Sequence, residues 1–69
     1  MTAKIYLRRN GAFGSECDGT RDTGHHIVED SGRFTVYSAD DPDKVIAKDA
    51  TREEAEKAIA ADWRKAGAA

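Results

Sequence analysis

The chain holds one cysteine, one proline and one tryptophan among 69 residues, and no apolar run approaches the ~20 residues that a bilayer-spanning helix needs. Each scarcity excludes something. A lone Cys17 rules out an internal disulfide, so a reducing compartment is the simpler setting. The opening Met1-Thr2-Ala3-Lys4-Ile5 lacks the apolar core of a signal peptide, which makes a cytoplasmic chain with no membrane segment the expectation. A dominant charge sign is also missing, with 11 Lys plus Arg against 13 Asp plus Glu and a formal net of −2. That balance indicates neither a nucleic-acid binder working by bulk charge nor a dense DNA mimic. What acidic excess there is lies in residues 38–69, which carry eight acidic and six basic side chains against five and five in residues 1–37.

A chain this short is a single domain spanning 1–69, and it buries only about 60% of the surface its unfolded form exposes. The core candidates are Ile5, Leu7, Phe13, Val28, Phe34, Val36, Val45, Ala47, Ala55, Ala58, Ile59 and Trp63. They suffice to cover one face of one sheet with one helix. Small cores of this kind often rely on a second copy of the chain, so a homodimer is among the expectations.

Lys4-Ile5-Tyr6-Leu7-Arg8 alternates polar and apolar residues with the period of a half-buried strand and ends at Asn10-Gly11. That dipeptide is the favoured loop of a type I′ turn, which allows Ala12-Phe13-Gly14-Ser15 to fold back as a short second strand. Four glycines and no sustained apolar pattern between Gly11 and Gly24 predict that most of 11–24 is a Gly-rich loop. A hairpin follows, His26–Glu29 and Arg33–Tyr37 about a turn at Asp30-Ser31-Gly32. Pro42 among Asp40, Asp41 and Asp43 marks a polar connection to a strand at Val45-Ile46-Ala47-Lys48.

The last third reads as a strand running into a capped helix. Thr51 caps the first turn and Glu54, three residues on, reaches back to the Thr51 amide. From Arg52 to about Ala66, Ala55, Ala58, Ile59 and Trp63 share one face, with Asp62 as a polar intruder at its margin and Gly67 as the stop. Small residues on that face let the helix lie close to the sheet. The fold class expected is α+β, an antiparallel sheet of three to five strands with one C-terminal helix packed on one face.

One helix covers one face of a sheet, so the other is open. Ile5 and Leu7 pointing to the helix sends Lys4, Tyr6 and Arg8 outward, and Phe34 and Val36 pointing inward sends Arg33, Thr35 and Tyr37 outward. Two strands thus place a tyrosine near basic residues on the uncovered side. Tyrosine and arginine are enriched at the energetic centres of interfaces, and they also stack bases and hold phosphates. The same residues have a plain structural explanation as good strand formers and solubilising charges.

Chemistry has fewer candidates. Cys17 lies between Glu16 and Asp18, which disfavour a thiolate, and Cys17, His25 and His26 lack the spacing of a metal set. They read as a loop cysteine and two surface or strand histidines. The three aspartates lack the alternating ligands, Gly and terminal Glu of a calcium loop. Gly11-Ala12-Phe13-Gly14 has the form of a backbone-clamping GxxG loop but follows a strand and not a helix. No cofactor, metal or catalytic set is expected, and the chain is not expected to be an enzyme.

Residues 26–63, with Arg33-Phe34-Thr35-Val36-Tyr37, a polar turn, Val45-Ile46-Ala47-Lys48 and Ala50-Thr51-Arg52-Glu53-Glu54-Ala55-Glu56, resemble two groups of small ββα modules. One is the N-terminal arm-DNA-binding domain of phage-type tyrosine integrases, which implies a basic sheet face on DNA. The other is a set of small bacterial domains sharing a hairpin and a Thr-x-Glu-Glu-Ala helix start. In size and charge alone the chain also looks like small phage and mobile-element inhibitors, anti-CRISPR proteins among them, which implies occupation of a surface on a host complex. The functional expectation is therefore a non-enzymatic protein-binding module using Tyr6, Arg8, Arg9, Arg33 and Tyr37, with nucleic-acid binding by the same face as the alternative.

Overall fold

The computed structural model describes residues 2–66, with side chains through Trp63. Five strands, β1 (Ala3–Leu7), β2 (Phe13–Cys17), β3 (His26–Asp30), β4 (Arg33–Tyr37) and β5 (Val45–Ala50), precede one helix, α1 (Arg52–Ala66). The strands pair in chain order, each antiparallel to the next, and α1 packs against β5, β1 and β4 on one face. The α+β architecture expected from the sequence is borne out, at the upper end of the strand count. Gly67, the expected helix stop, lies outside the described residues.

Turn chemistry explains this meander. Ser31 and Gly32 both take positive φ, 54° and 81°, the requirement of a type I′ loop, and they join β3 to β4 in two residues. Asn10-Gly11 behaves differently from the expectation. The Gly11 amide donates to the Arg8 carbonyl at 3.0 Å and the Arg8 amide to the Ala12 carbonyl at 2.7 Å, and only Gly11 has positive φ. This is a turn over Arg9-Asn10 followed by a left-handed glycine, the three-residue hairpin with a bulge. The type I′ turn of this region is at Asp18-Gly19, with φ of 50° and 83° and reciprocal Cys17–Thr20 hydrogen bonds. Most of the 11–24 segment is loop and turn, as expected, and the short second strand expected at 12–15 is β2, which starts one residue later and runs on to Cys17.

The helix starts as its sequence dictates. Thr51 Oγ1 accepts from the Glu54 amide at 3.2 Å while Glu54 Oε1 accepts from the Thr51 amide at 3.0 Å. Thr51 Oγ1 also donates to Glu54 Oε1 at 3.1 Å, and the two bonds that the carboxylate accepts from Thr51, backbone first, hold the Glu54 carboxyl below its usual range. Its first turns also reach the sheet edge. Glu56 Oε2 accepts from the Ile5 amide at 2.9 Å, and Arg52 donates to the Ile5 carbonyl. Both outward peptide groups of Ile5 on edge strand β1 thus find partners on α1, which answers the exposure that makes edges prone to pairing.

The core holds Ala3, Ile5, Cys17, Ile27, Phe34, Val36, Ala50, Ala55 and Ile59, with Phe13 edge-on to Phe34 at a centroid distance of 5.5 Å. Three expected members are outside it: Leu7, Val28 and Val45 are 64%, 44% and 43% exposed. Leu7 ends β1 and is left uncovered. In β3 the inward residue is Ile27, opposite Val36, which puts Val28 outward beside Thr35. Shifts of register between β4 and β5 set Val45 opposite the outward Tyr37. Phe13, Ala47, Ala58 and Trp63 are half-buried rather than central.

Candidate functional site

The outer face is built around Gly14. It stands opposite Tyr6 in the β1–β2 ladder, and a Cβ at position 14 would lie 2.9 Å from the tip of the Tyr6 ring and 2.6 Å from Arg8 Nε. Having no side chain, Gly14 lets Tyr6 and Arg8 lean across β2 against its backbone. Arg21 then lies over the Tyr6 ring, its guanidinium carbon 4.5 Å from the centroid, and Arg8 Nη2 pairs with Asp22 Oδ1 at 2.9 Å. Tyr6, Arg8, Arg21 and Asp22 form one cluster at the β1–β2 end.

The register of Phe13 opposite Ile27 carries the row on from Gly14 to His26. His26 pairs with Tyr37, their rings 5.6 Å apart and tilted by 48°, and Tyr37 pairs with Val45. Tyr6, His26, Tyr37 and Val45 consequently cross the whole sheet in one row. Of the sequence candidates, Tyr6, Arg8 and Tyr37 belong to this surface and are half-buried in it. Arg33 is exposed on the same face at the β3–β4 turn, opposite Asp30, with a 3.5 Å hydrogen bond to the Asp49 carbonyl. Arg9 is exposed in the β1–β2 turn. Gly14 and His26 were expected on strands but not as part of this surface, and Arg21 and Asp22 were not anticipated because the residues around them read as loop.

A second polar constellation lies on the opposite side of the sheet, under the helix. His25 Nε2 is 2.8 Å from Asp62 Oδ2, and His25 Nδ1 is 2.6 Å from Thr23 Oγ1, which in turn meets Ser15 Oγ. A carboxylate only accepts, so His25 Nε2 carries the hydrogen and donates it to Asp62, while Nδ1 shares a hydrogen bond with the Thr23 hydroxyl. Asp62 also accepts from Ser38 Oγ at 3.2 Å and from the Ala39 amide at 3.5 Å. Burial raises the Asp62 carboxyl, but the hydrogen bonds from His25, Ala39 and Ser38, with the His25 charge, outweigh it and leave Asp62 below its ordinary range.

Hydroxyl, imidazole and carboxylate in sequence have the order of a nucleophilic triad. Accessibility decides against that use: Ser15, Thr23, His25 and Ser38 are all buried, Ser15 completely. No substrate atom can reach Ser15 or Thr23 Oγ, so the constellation ties the fold together. His25 corrects the expectation of a surface or strand histidine. The sequence signal for it was Asp62, whose carboxylate on the apolar stripe of a helix demands a partner.

Cys17 is buried too, and desolvation first, then the Asp18 charge, pushes its thiol up, away from nucleophilic use. Among the described residues no cluster of His, Cys, Asp and Glu is arranged to hold a metal ion, and no helix is long and apolar enough to cross a membrane. A concavity of about 430 Å³ lies between Thr2 and Ala3 on one side and Glu53, Glu56, Lys57 and Ala60 on the other. Its charged groups are engaged, Glu56 with Ile5 and Arg52, and Lys57 with Glu53 at 3.7 Å. Comparison with known protein families, with curated proteins and with solved structures finds no match to this chain.

Proposed function

We propose that the chain is a non-enzymatic protein-binding module that docks an acidic surface of a larger protein onto its uncovered sheet face. The observation that carries this is the row Tyr6, His26, Tyr37 and Val45 running across all five strands, with no element of the described chain packed over it. Within the row the two half-buried tyrosines, Tyr6 and Tyr37, offer rigid contact area at low entropic cost, as the centres of protein interfaces do. Around the row stand Lys4, Arg8, Arg9, Arg21 and Arg33 against Glu16, Asp22 and Asp30. The face thus has a basic excess in a chain whose total is −2, and the acidic excess belongs to the 40–43 turn, since residues 52–66 carry four acidic and four basic side chains. An acidic partner matches that polarity. Occupying the partner's surface, as small phage inhibitors do, is the activity such a module would exert.

Nucleic acid on the same face is the second reading. Against it weigh Arg21, which covers the Tyr6 ring that a base would stack on, and Asp22, which neutralises Arg8.

The test is affinity capture on the immobilised chain, followed by titration of the purified captured protein. Joint replacement of Arg8 and Tyr37 by Ala is expected to weaken binding at least tenfold with the circular dichroism unchanged. Joint replacement of Glu53 and Lys57 by Ala, on the helix side, is expected to leave it unaltered. Equal affinity for the face variant would remove the reading. Capture of an oligonucleotide instead, with affinity falling steeply as salt rises, would transfer the face to nucleic acid.

A further inference from the structure

Residues 21–25 touch both sides of the sheet. Arg21 and Asp22 lie on the outer face, one over Tyr6 and the other paired with Arg8. Thr23 and His25 lie on the helix side, in the chain of hydrogen bonds that runs from Ser15 to Asp62. Backbone pairing does little to hold this segment. The named strands β2 and β3 meet at a single position, Phe13 opposite Ile27, where the β1–β2 and β3–β4 ladders each pair five. Between Thr20 and His26 the backbone adds only the Thr23 amide to the Ser15 carbonyl at 3.0 Å, and the Gly24 amide turns back on Asp22 Oδ1 at 3.1 Å. Side chains fill the seam. Thr23 and His25 are anchored to β2 at Ser15 and to α1 at Asp62, and every buried side-chain polar atom among the described residues has a partner.

We infer that Thr23, His25 and Asp62 are positioning residues for the docking face: held from the helix side, they fix Arg21 on Tyr6 and Asp22 on Arg8 on the other side of the sheet. Arg21 and Asp22 immediately precede the anchored Thr23, so a displacement of Thr23 is carried directly to both. The two clusters are thereby one unit, and α1 contributes to the outer face without touching it. This rests on the docking reading for its consequence in binding, but the coupling itself is a property of the free chain.

Amide hydrogen exchange and side-chain proton shifts of the full-length labelled protein test it. Thr23→Val keeps the branched shape and removes the hydroxyl link. It is expected to speed exchange at Thr23 and Gly24 at least tenfold and to abolish the upfield displacement that the Tyr6 ring imposes on the Arg21 side-chain protons. The Tyr6 and Gly14 amides, in the β1–β2 ladder, are expected to keep their wild-type rates. Thr23→Ser, which restores the hydroxyl, is expected to recover both signals. Asp62→Asn should reproduce the Thr23→Val pattern from the helix, and it carries the comparison alone should Thr23→Val fail to fold. Arg21 shifts that stay at wild-type values, or exchange that changes only in step with Tyr6 and Gly14, would overturn the inference. Loss of the Arg21 displacement together with undiminished partner binding would uphold the positioning role and remove the docking reading, so the two fail separately.

Discussion

His25 Nε2 and Asp62 Oδ2 lie 2.8 Å apart although 37 positions separate them in sequence, and the imidazole is fully buried. A carboxylate brought that far into the fold is stable only because His25, Ser38 and the Ala39 amide all donate to it. The link joins the third turn of the helix to the weakest seam of the sheet, and so closes the domain around its small core.

Acid should therefore strike here first. The folded-state pKa of Asp62 is lowered, so its contribution is fully present above the unfolded value, about 3.9, and is lost as the pH falls through the folded value. Urea denaturation of wild type and Asp62→Asn is expected to show a gap of about 2 kcal/mol at neutral pH, typical of hydrogen bonds to a charged group. The gap should hold constant down to about pH 4 and close below it. A gap that persists unchanged at pH 2 would show that the carboxylate's charge contributes nothing.

The helix offers a ranking. Ile59 is fully buried whereas Trp63 is half-buried, so the larger side chain is the lesser anchor. Ile59→Ala is expected to cost about 2–5 kcal/mol, comparable to the whole stability that a core of this size supplies, and to leave much of the protein unfolded at 25 °C. Trp63→Ala should cost less. Thermal melts of the two variants check the order, and a lower midpoint for Trp63→Ala would reverse it.

Local signals in the sequence were sufficient where physics is local. The Thr51–Glu54 capping box, the Asp30–Arg33 hairpin and the outward placing of Tyr6 and Tyr37 all follow from spacing within a few residues. What failed depended on register. Val28 and Ile27 are both apolar, and only pairing with Val36 and Thr35 decides which one faces the helix. Irregular pairing in β5 defeats simple alternation at Val45 for the same reason. Asp18-Gly19 carries a strong type I′ signal, but the surrounding glycines masked it, and with it went the extension of β2 to Cys17 and the placing of Arg21 and Asp22. The His25–Asp62 link is a long-range contact, and only the carboxylate on an apolar helix stripe hinted at it.

Gly14 is expected to matter through the space it leaves and not through its backbone angles, since its φ is not positive. A methyl group there meets only the tips of Tyr6 and Arg8, which can swing away. Gly14→Ala should accordingly keep the fold but lift Tyr6 off the sheet and break its stack with Arg21. The Tyr6 and Arg21 proton shifts read this directly, and partner affinity should fall with them. Unchanged Arg21 shifts in a folded Gly14→Ala protein would mean that the ring does not need the groove.

The final prediction concerns the edge at β1. Arg52 and Glu56 occupy both outward peptide groups of Ile5, taking the place of a neighbouring strand. Replacing both by Ala leaves an unpaired N–H and C=O in the middle of an edge strand, the template on which a second chain pairs. Stability is expected to fall by about 1–2 kcal/mol, since the contacts are only partly buried. The sharper effect is on association. Sedimentation velocity at a low and a high concentration should show the Arg52→Ala, Glu56→Ala protein moving toward larger species as concentration rises, more strongly than wild type. Identical behaviour of the two proteins would mean that the flanking side chains, and not the peptide-group clamp, keep this edge apart from other chains.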